Sequence, residues 1–278
     1  MENFNGTLVE TAQATFTNNR AFLYGDAVFE TCKVAHGAVL YWEDHYFRLM
    51  ASMRILRMEI PMHFTMEFLE QELLNVARAN GIENSARVRL TVYRDSAGYY
   101  LPETNQISYL IQASSLQHIA YQTNNSPYEV DLFKDFYITK QLLSSIKSTN
   151  KAVQITGSIY AKENGLQNCL LLNDAKNVIE SLNGNLFLVS GKKLITPPIS
   201  EGCLNGIMRK QILALAKKMS VEVAEEPISP FDLQKADELF ITNVISGIQP
   251  ITKYRKKEFD NRFSTDLLVN LNQSQHLV

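Results

Sequence analysis

The sequence predicts an α+β protein of two domains, a small N-terminal α+β domain followed by a larger C-terminal α/β domain. Strand patterns rich in β-branched and aromatic residues fill roughly the first hundred residues and are interrupted by two stretches of helical periodicity. A polar stretch at residues 114–127 has little periodicity, and strands alternate with helices after it. The predicted division is therefore residues 1–113, an interdomain linker at 114–127 and a second domain at 128–278.

The elements of the first domain are predicted from turn dipeptides, apolar periodicity and helix-end residues. In order, they are a hairpin turning at Asn5-Gly6, a hairpin of residues 27–34 and 38–41 turning at His36-Gly37, a helix beginning at Asp44, a helix capped by Thr65 and ended by Gly81, and strands at 86–93 and 107–113.

The elements of the second domain follow from the same signals. They are a strand near 128–136, a helix at about 149–164 ended by Gly165, a strand at 169–173, a hairpin at 185–195, a helix capped by Asn205 that covers 206–219, and a helix end at Ala236 that leads into a buried strand ending at Thr242-Asn243. Lys217 and Lys218 stand at the end of the 206–219 helix, where the helix dipole favours cations.

Composition excludes several classes of protein. The 278 residues carry 27 Lys and Arg against 29 Asp and Glu, a net charge of −2 without blocks of like charge, which disfavours a nucleic-acid partner. No apolar run approaches the ~20 residues that span a bilayer, so no membrane partner is expected. The three cysteines are widely spaced and odd in number, which fits reduced thiols and a cytoplasmic location.

The common chemical motifs are missing from this sequence. It contains no Walker A, dinucleotide-binding, zincin or nucleophile-elbow pattern, and its five histidines lack the spacing of metal ligands. We therefore expect no metal site.

Six short segments stand in a fixed order instead: Tyr24-Gly25-Asp26-x-x-Phe29-Glu30-Thr31, Asp44-His45-x-x-Arg48-Leu49, Ile146-Lys147-Ser148-Thr149-Asn150, Glu180-x-x-x-x-Asn185, Asn205-Gly206-Ile207-Met208-Arg209 and Ala236-Asp237-Glu238-Leu239-Phe240. Together they resemble the class IV (fold-type IV) pyridoxal-phosphate enzymes, which comprise branched-chain aminotransferases, D-amino acid aminotransferases and aminodeoxychorismate lyases. The resemblance spans about Arg20 to Ile251. It implies the D-amino acid aminotransferase-like fold, pyridoxal 5′-phosphate as cofactor and a homodimer.

Two residues carry the central chemistry that the resemblance implies. Lys147 matches the lysine that forms a Schiff base with the cofactor and then moves the substrate proton. Glu180 matches the carboxylate that keeps the pyridine nitrogen protonated, and Asn185 of the same segment is carried over as a cofactor-binding residue. The alternative for Lys147 is a surface lysine, and the alternative for Glu180 is a strand residue on a solvated face.

The resemblance also implies which residues bind the cofactor phosphate. Arg48 matches an arginine that contacts it, and a helix beginning after Asn205 would add free backbone amides and a favourable dipole. The further cofactor-binding residues implied are Gly206, Ile207, Met208, Thr242 and Asn243. A surface helix position is the alternative for Arg48, and core packing is the alternative for the segment that ends at Thr242-Asn243.

The substrate is expected to be a small amine that bears a carboxylate. Its carboxylate needs an arginine or backbone amides, and Arg87, Arg89 and Arg94 are the candidates in the first domain. Arg89 and Arg94 could equally be exposed strand residues.

Three positions favour one branch of the family. Ala152, Met208 and Thr242-Asn243-Val244 depart from the branched-chain aminotransferase pattern, whereas Asn205-Gly206-Ile207-Met208-Arg209 and Lys147-x-x-Asn150 resemble aminodeoxychorismate lyase. That enzyme releases pyruvate from 4-amino-4-deoxychorismate to give 4-aminobenzoate, a step of folate biosynthesis. An amino acid aminotransferase of branched-chain or D-amino acid type is the alternative. A degenerate cofactor-binding protein and a non-enzymatic interaction protein are further alternatives.

Overall fold

The computed structural model describes residues 1–10, 19–123 and 126–277. The chain divides into two compact units, Met1–Ile119 with Ile146–Asn150, and Ala120–Ser145 with Lys151–Val278. The sequence placed residues 146–150 in the second domain, whereas the structure groups them with the first unit. Asn124 and Asn125, part of the predicted linker, lie outside the described residues.

The first unit contains a six-stranded antiparallel sheet in the order β2-β1-β6-β5-β3-β4. Its strands are β1 (Glu2–Phe4), β2 (Thr7–Val9), β3 (Ala27–Ala35), β4 (Ala38–Val39), β5 (Ser85–Arg94) and β6 (Ile107–Ser115). Both predicted hairpins are present, and their turn residues Asn5, Gly6, His36 and Gly37 all have positive φ, as two-residue hairpin turns of this kind require.

The helices of the first unit are α1 (Arg20–Tyr24), α2 (Trp42–Ile55) and α3 (Met66–Ala79). The prediction for α3 is confirmed: the Thr65 side chain accepts a hydrogen bond from the Phe68 amide, and Gly81 follows the helix with φ 67°. One face of the sheet packs on α2 and α3 through apolar residues such as Val88, Leu49 and Leu73. This packing makes β3 a buried, rigid strand.

Residues 146–150 attach to β3 through backbone hydrogen bonds. The Phe29 amide donates to the Lys147 carbonyl at 2.8 Å, and the Thr149 amide donates to the Ala27 carbonyl at 3.0 Å. Ile146 is buried in the core of the first unit. The segment therefore behaves as a short extra strand beside β3, which explains why it groups with the first unit although it is distant in sequence.

The second unit contains a ten-stranded mixed sheet. Its strands are β7 (Glu129–Ile138), β8 (Asn168–Asn173), β9 (Val178–Ser181), β10 (Asn185–Ser190), β11 (Lys193–Thr196), β12 (Glu222–Glu225), β13 (Glu238–Asn243), β14 (Gly247–Ile251), β15 (Lys253–Tyr254) and β16 (Lys257–Glu258). The path β12-β11-β10-β9-β8-β7-β15-β16 branches at β10, which also pairs with β13. Parallel pairs join β7 to β8, β7 to β15 and β11 to β12.

The helices of the second unit are α4 (Ala152–Glu163), α5 (Ile207–Lys218), α6 (Pro230–Lys235) and α7 (Arg262–Ser274). Helix α5 ends on Lys217 and Lys218, as predicted. Its predicted cap at Asn205 is wrong, because Gly206 occupies the N-cap position. Helix α4 begins at Ala152 rather than near Thr149, because the preceding residues pair with β3. None of the helices in the described parts of the chain is long and apolar enough to cross a membrane.

Candidate active site

Lys147 is half-buried beside strand β3 in the first unit. Its Nζ lies 4.5 Å from the centre of the Phe29 ring. The backbone on both sides of the lysine is fixed to β3, since the Ser148 backbone forms a bridge with Val28. An amine held in this way against an aromatic face is partly shielded from bulk water and has a position that the fold defines.

The same Phe29 ring contacts a second cation. The Arg89 guanidinium lies 3.8 Å from the ring centre. Strand register places Thr31 opposite Arg89 and Lys33 opposite Arg87, so these side chains share one face of the sheet with Phe29. Burial, followed by the charge of Arg87, lowers the pKa of Arg89, and burial lowers the pKa of Lys33 to about 8. This cationic face, Lys33, Arg87 and Arg89, suits a substrate that carries carboxylates.

Arg94, the third predicted substrate arginine, differs from the other two. Its guanidinium is buried and donates to Asp26 Oδ2 at 2.9 Å, to the Leu56 carbonyl at 2.6 Å, to the Arg57 carbonyl at 3.2 Å and to Asn105. These bonds tie β5 to the end of α2 and to the loop before β6. The structure therefore gives Arg94 a role in the fold, and its binding of substrate stays a prediction.

Arg48 lies on α2 and contacts Glu30 on β3. Its Nε donates to Glu30 Oε1 at 2.8 Å and its Nη2 donates to Glu30 Oε2 at 2.6 Å. His45, three residues earlier on α2, places Nδ1 2.7 Å from the same Oε2. Burial opposes ionisation of Glu30, but Arg48 and His45 outweigh it and lower its pKa from 4.5 to about 2.

The lowered pKa of Glu30 predicts acid sensitivity. The stabilisation that its charge provides is complete above pH 4.5 and is lost as the pH falls toward about 2, up to roughly 3 kcal/mol in total. We expect the free energy of unfolding of the native protein to fall more steeply between pH 5 and pH 3 than that of Glu30→Gln, as measured by denaturant titration. Equal slopes in the two proteins would contradict this assignment.

In the second unit, three predicted cofactor residues lie in one row across the sheet. Asn185 on β10 is directly opposite Glu180 on β9 and also opposite Thr242 on β13. Residues that face each other across antiparallel strands project from the same side of the sheet. All three are buried, at 9%, 4% and 2% exposure for Glu180, Asn185 and Thr242 respectively.

The loop before α5 lies against this row. Glu180 Oε2 accepts a hydrogen bond from the Leu204 amide at 2.9 Å, and Asn185 Nδ2 donates to the Leu204 carbonyl at 2.8 Å. A Cβ on Gly206 would lie 1.9 Å from Asn185 Oδ1, so only glycine allows this approach. The row and the N-terminus of α5 are thus one cluster within the second unit.

Two features of this cluster suit a phosphate-bearing ligand. The first turn of α5, with Ile207 and Met208 buried, has no side-chain cap at Gly206, and such a terminus binds anions through its amides. The Thr242 hydroxyl oxygen is buried without a hydrogen-bond partner, so it can donate to a ligand oxygen. The Glu180 carboxylate on the same row is an acceptor that could pair with a protonated pyridine nitrogen, so these residues could hold pyridoxal phosphate.

Asn243 has a local role. Its Oδ1 accepts hydrogen bonds from the amides of Ile245 at 3.0 Å and Ser246 at 2.8 Å. This Asx-type turn shapes the connection from β13 to β14. Contact between Asn243 and the cofactor, which the sequence predicts, therefore stays a prediction.

Sequence reasoning assigned no site role to Phe29, Glu30 or His45. Phe29 and Glu30 lay within a motif quoted for the resemblance, and the i, i+3 spacing of His45 and Arg48 was a signal that both share one helix face. The contact of Phe29 with Lys147, and those of Glu30 with Arg48 and His45, join residues that are distant in sequence, and the local pattern does not reveal them.

Comparison with known proteins agrees with this description. The family model "Amino-transferase class IV" matches residues 27–254. A putative branched-chain-amino-acid aminotransferase of Methanocaldococcus jannaschii is 29% identical over 93% of this chain and 89% of its own. An aminodeoxychorismate lyase of Vibrio harveyi is 24% identical over 84% of this chain and 85% of its own. The crystal structure of a branched-chain amino acid aminotransferase from Thermobaculum terrenum, in its PLP form, superposes with a TM-score of 0.86 at 21% identity, covering 100% of this chain and 94% of that one.

The chain therefore belongs to the class IV aminotransferases, a family of enzymes that use pyridoxal phosphate. Its two-domain α+β architecture, predicted from the sequence, is confirmed by the solved structures of this family. Among the residues that the structure describes, no group of His, Cys, Asp and Glu side chains could hold a metal ion.

Proposed function

We propose that this protein is a pyridoxal-phosphate-dependent 4-amino-4-deoxychorismate lyase. The observation that carries this proposal is the cationic face of Lys33, Arg87 and Arg89, which shares Phe29 with Lys147. The amino substrate of such a lyase carries two carboxylates, and partly buried cations favour it electrostatically. A branched hydrocarbon side chain gains nothing from three cations, so they distinguish the lyase substrate from a branched-chain amino acid but not from a dicarboxylate such as 2-oxoglutarate.

In this proposal, different residues of the chain bind different parts of the cofactor. Bound pyridoxal phosphate supplies an electron sink for the charge that develops at the carbon bearing the substrate amine. Glu180, held by the Leu204 amide, would keep the proton on the pyridine nitrogen. Arg48, the Thr242 hydroxyl and the first amides of α5 would bind the phosphate.

Lys147 has two tasks in this proposal. Its Nζ would hold the cofactor covalently until the substrate amine displaces it, and the freed amine would then accept the proton from the amine-bearing carbon. Loss of that proton and cleavage of the ring carbon–oxygen bond to the enolpyruvyl group leave 4-aminobenzoate. The released enolpyruvate takes up one proton and becomes pyruvate, so no co-substrate is consumed. In a transaminase, Lys147 would instead deliver the proton to the cofactor, and the substrate would leave as a keto acid after hydrolysis.

A direct assay tests this proposal. We expect the cofactor-loaded protein to release equal amounts of pyruvate and 4-aminobenzoate from 4-amino-4-deoxychorismate. Arg89→Leu should raise KM by about tenfold, the value of one charge-assisted hydrogen bond, and leave kcat less affected. A loaded protein that yields no 4-aminobenzoate would overturn the lyase assignment, and one that transforms no amine at all would favour the degenerate alternative.

An amino acid aminotransferase is the second candidate. The Methanocaldococcus jannaschii relative, at 29% identity over 93% of this chain, favours it. Incubation with L-leucine or D-alanine and 2-oxoglutarate discriminates the two activities. Formation of the corresponding keto acid, without 4-aminobenzoate from the chorismate amine, would establish transamination.

We also propose a cytoplasmic homodimer. Exposed apolar side chains on the second unit support the dimer: Phe136, Leu142, Leu143, Ile155 and Ile159 are each 51% to 64% exposed, on β7, on the turn after it and on α4. Such surfaces are usually covered by a partner. The three cysteines are buried and unpaired, consistent with a reducing compartment. A monomeric mass by light scattering at micromolar concentration would contradict the dimer.

A further inference from the structure

The orientation of Arg48 is fixed by a carboxylate that has no role in the function proposed above. Glu30 uses both oxygens on the guanidinium, with Oε1 2.8 Å from Nε and Oε2 2.6 Å from Nη2. A two-point contact of this kind sets the plane as well as the position of an arginine, whereas a single contact leaves the plane free.

Glu30 is itself held in place. It is 1% exposed on β3, and His45 Nδ1 lies 2.7 Å from its Oε2. His45 is fully buried on α2, and the backbone carbonyl of Arg48 accepts a hydrogen bond from Ser52 at 2.7 Å. The three side chains therefore sit on a packed helix and a packed strand, where their geometry is determined before any ligand arrives.

We propose that Glu30, held by His45, is a positioning residue that aims the Arg48 guanidinium at the cofactor phosphate. This inference rests on the proposed function, which assigns the phosphate to Arg48. An arginine side chain loses a large rotamer entropy when it binds a phosphate. Because Glu30 already fixes the side chain of Arg48, less of this entropy remains to be lost on phosphate binding.

A charge effect and a positioning effect predict opposite changes in phosphate binding when Glu30 is replaced. Glu30 partly neutralises Arg48, so replacing the carboxylate with an amide leaves a more strongly positive site for a phosphate. A pure charge effect would therefore strengthen phosphate binding in Glu30→Gln. If Glu30 only stabilises the fold, its loss would weaken pyridoxal phosphate and pyridoxal equally. Only a positioning role predicts a loss of affinity that is confined to the phosphorylated form.

The test compares two ligands that differ only in the phosphate. Cofactor-free protein is titrated with pyridoxal 5′-phosphate and with pyridoxal, and the ratio of the two dissociation constants is measured by visible absorption. We expect Glu30→Gln to reduce the preference for the phosphorylated form by about tenfold, the value of one charge-assisted hydrogen bond. Glu72→Gln is the matched control. Glu72 is a second buried carboxylate in the same unit, bonded to Asn3 and Tyr109, and its replacement should leave the ratio unchanged.

Each outcome supports or overturns the inference. An unchanged or increased ratio in Glu30→Gln overturns it, and so does an equal decrease in Glu72→Gln. If Glu30→Gln does not fold, Glu30→Asp serves instead. The aspartate keeps the charge but is one methylene too short for both contacts. A positioning role therefore predicts a reduced ratio, and a charge effect predicts an unchanged ratio. Native protein that binds no pyridoxal phosphate would overturn the proposed function and this inference with it, whereas native protein that binds it while Glu30→Gln keeps the same ratio overturns this inference alone.

Discussion

Replacing Lys147 with alanine should reduce turnover by more than about 10³-fold, because both covalent attachment and proton transfer are assigned to its Nζ. The fold should remain, since the backbone bonds of this segment to Phe29 and Ala27 do not use the side chain. Substrate turnover under saturating cofactor, with unfolding followed by circular dichroism, measures both effects. Lys162→Ala, at an exposed position on α4, is the matched control and should behave as the native protein.

Chemical rescue sharpens this prediction. Added methylamine should restore part of the activity of Lys147→Ala, because a free amine can accept the same proton in the space left by the side chain. Near-native activity of Lys147→Ala without added amine would rule out the assigned role of Lys147.

The second large effect is expected at Glu180. In Glu180→Gln the amide oxygen can still accept from the Leu204 amide, so the loop before α5 should remain in place. The amide cannot stabilise a protonated pyridine nitrogen by charge, and we expect kcat to fall by about 10²- to 10³-fold with a smaller change in KM.

Glu201→Gln provides the control for Glu180→Gln. Glu201 is another buried carboxylate of the second unit, bonded to Lys140, Asn173 and Asn177. Its loss should affect stability more than kcat. Equal loss of kcat in the two variants would mean that Glu180 acts through the fold.

Local sequence signals predicted the elements that depend on neighbouring residues. Thr65 caps α3 and Asn5-Gly6 forms a hairpin turn because both outcomes are decided within a few residues. Asn205 was the natural choice of cap by residue type. In the structure, Asn185 approaches the backbone closely at Gly206, and Gly206 rather than Asn205 is the N-cap of α5.

The parts of the site that the sequence missed are set by long-range pairing. Residues 146–150 join β3 of the first unit, which brings Lys147 to Phe29 and beside the cationic face. Strand β3 likewise carries Glu30 to Arg48. Arg94 had the same sequence signal as Arg89, and only the structure distinguishes an arginine bound by four acceptors from one that lies against an aromatic ring.

The residue to which the cofactor attaches is the most direct test of the role assigned to Lys147. The protein is loaded with pyridoxal 5′-phosphate, reduced with borohydride and digested, and the peptides are analysed by mass spectrometry. We expect one phosphopyridoxyl group, located on Lys147 in the peptide that contains Ser148 and Thr149, and none in Lys147→Ala. A label confined to other lysines, or no label in a folded and loaded protein, would contradict that role.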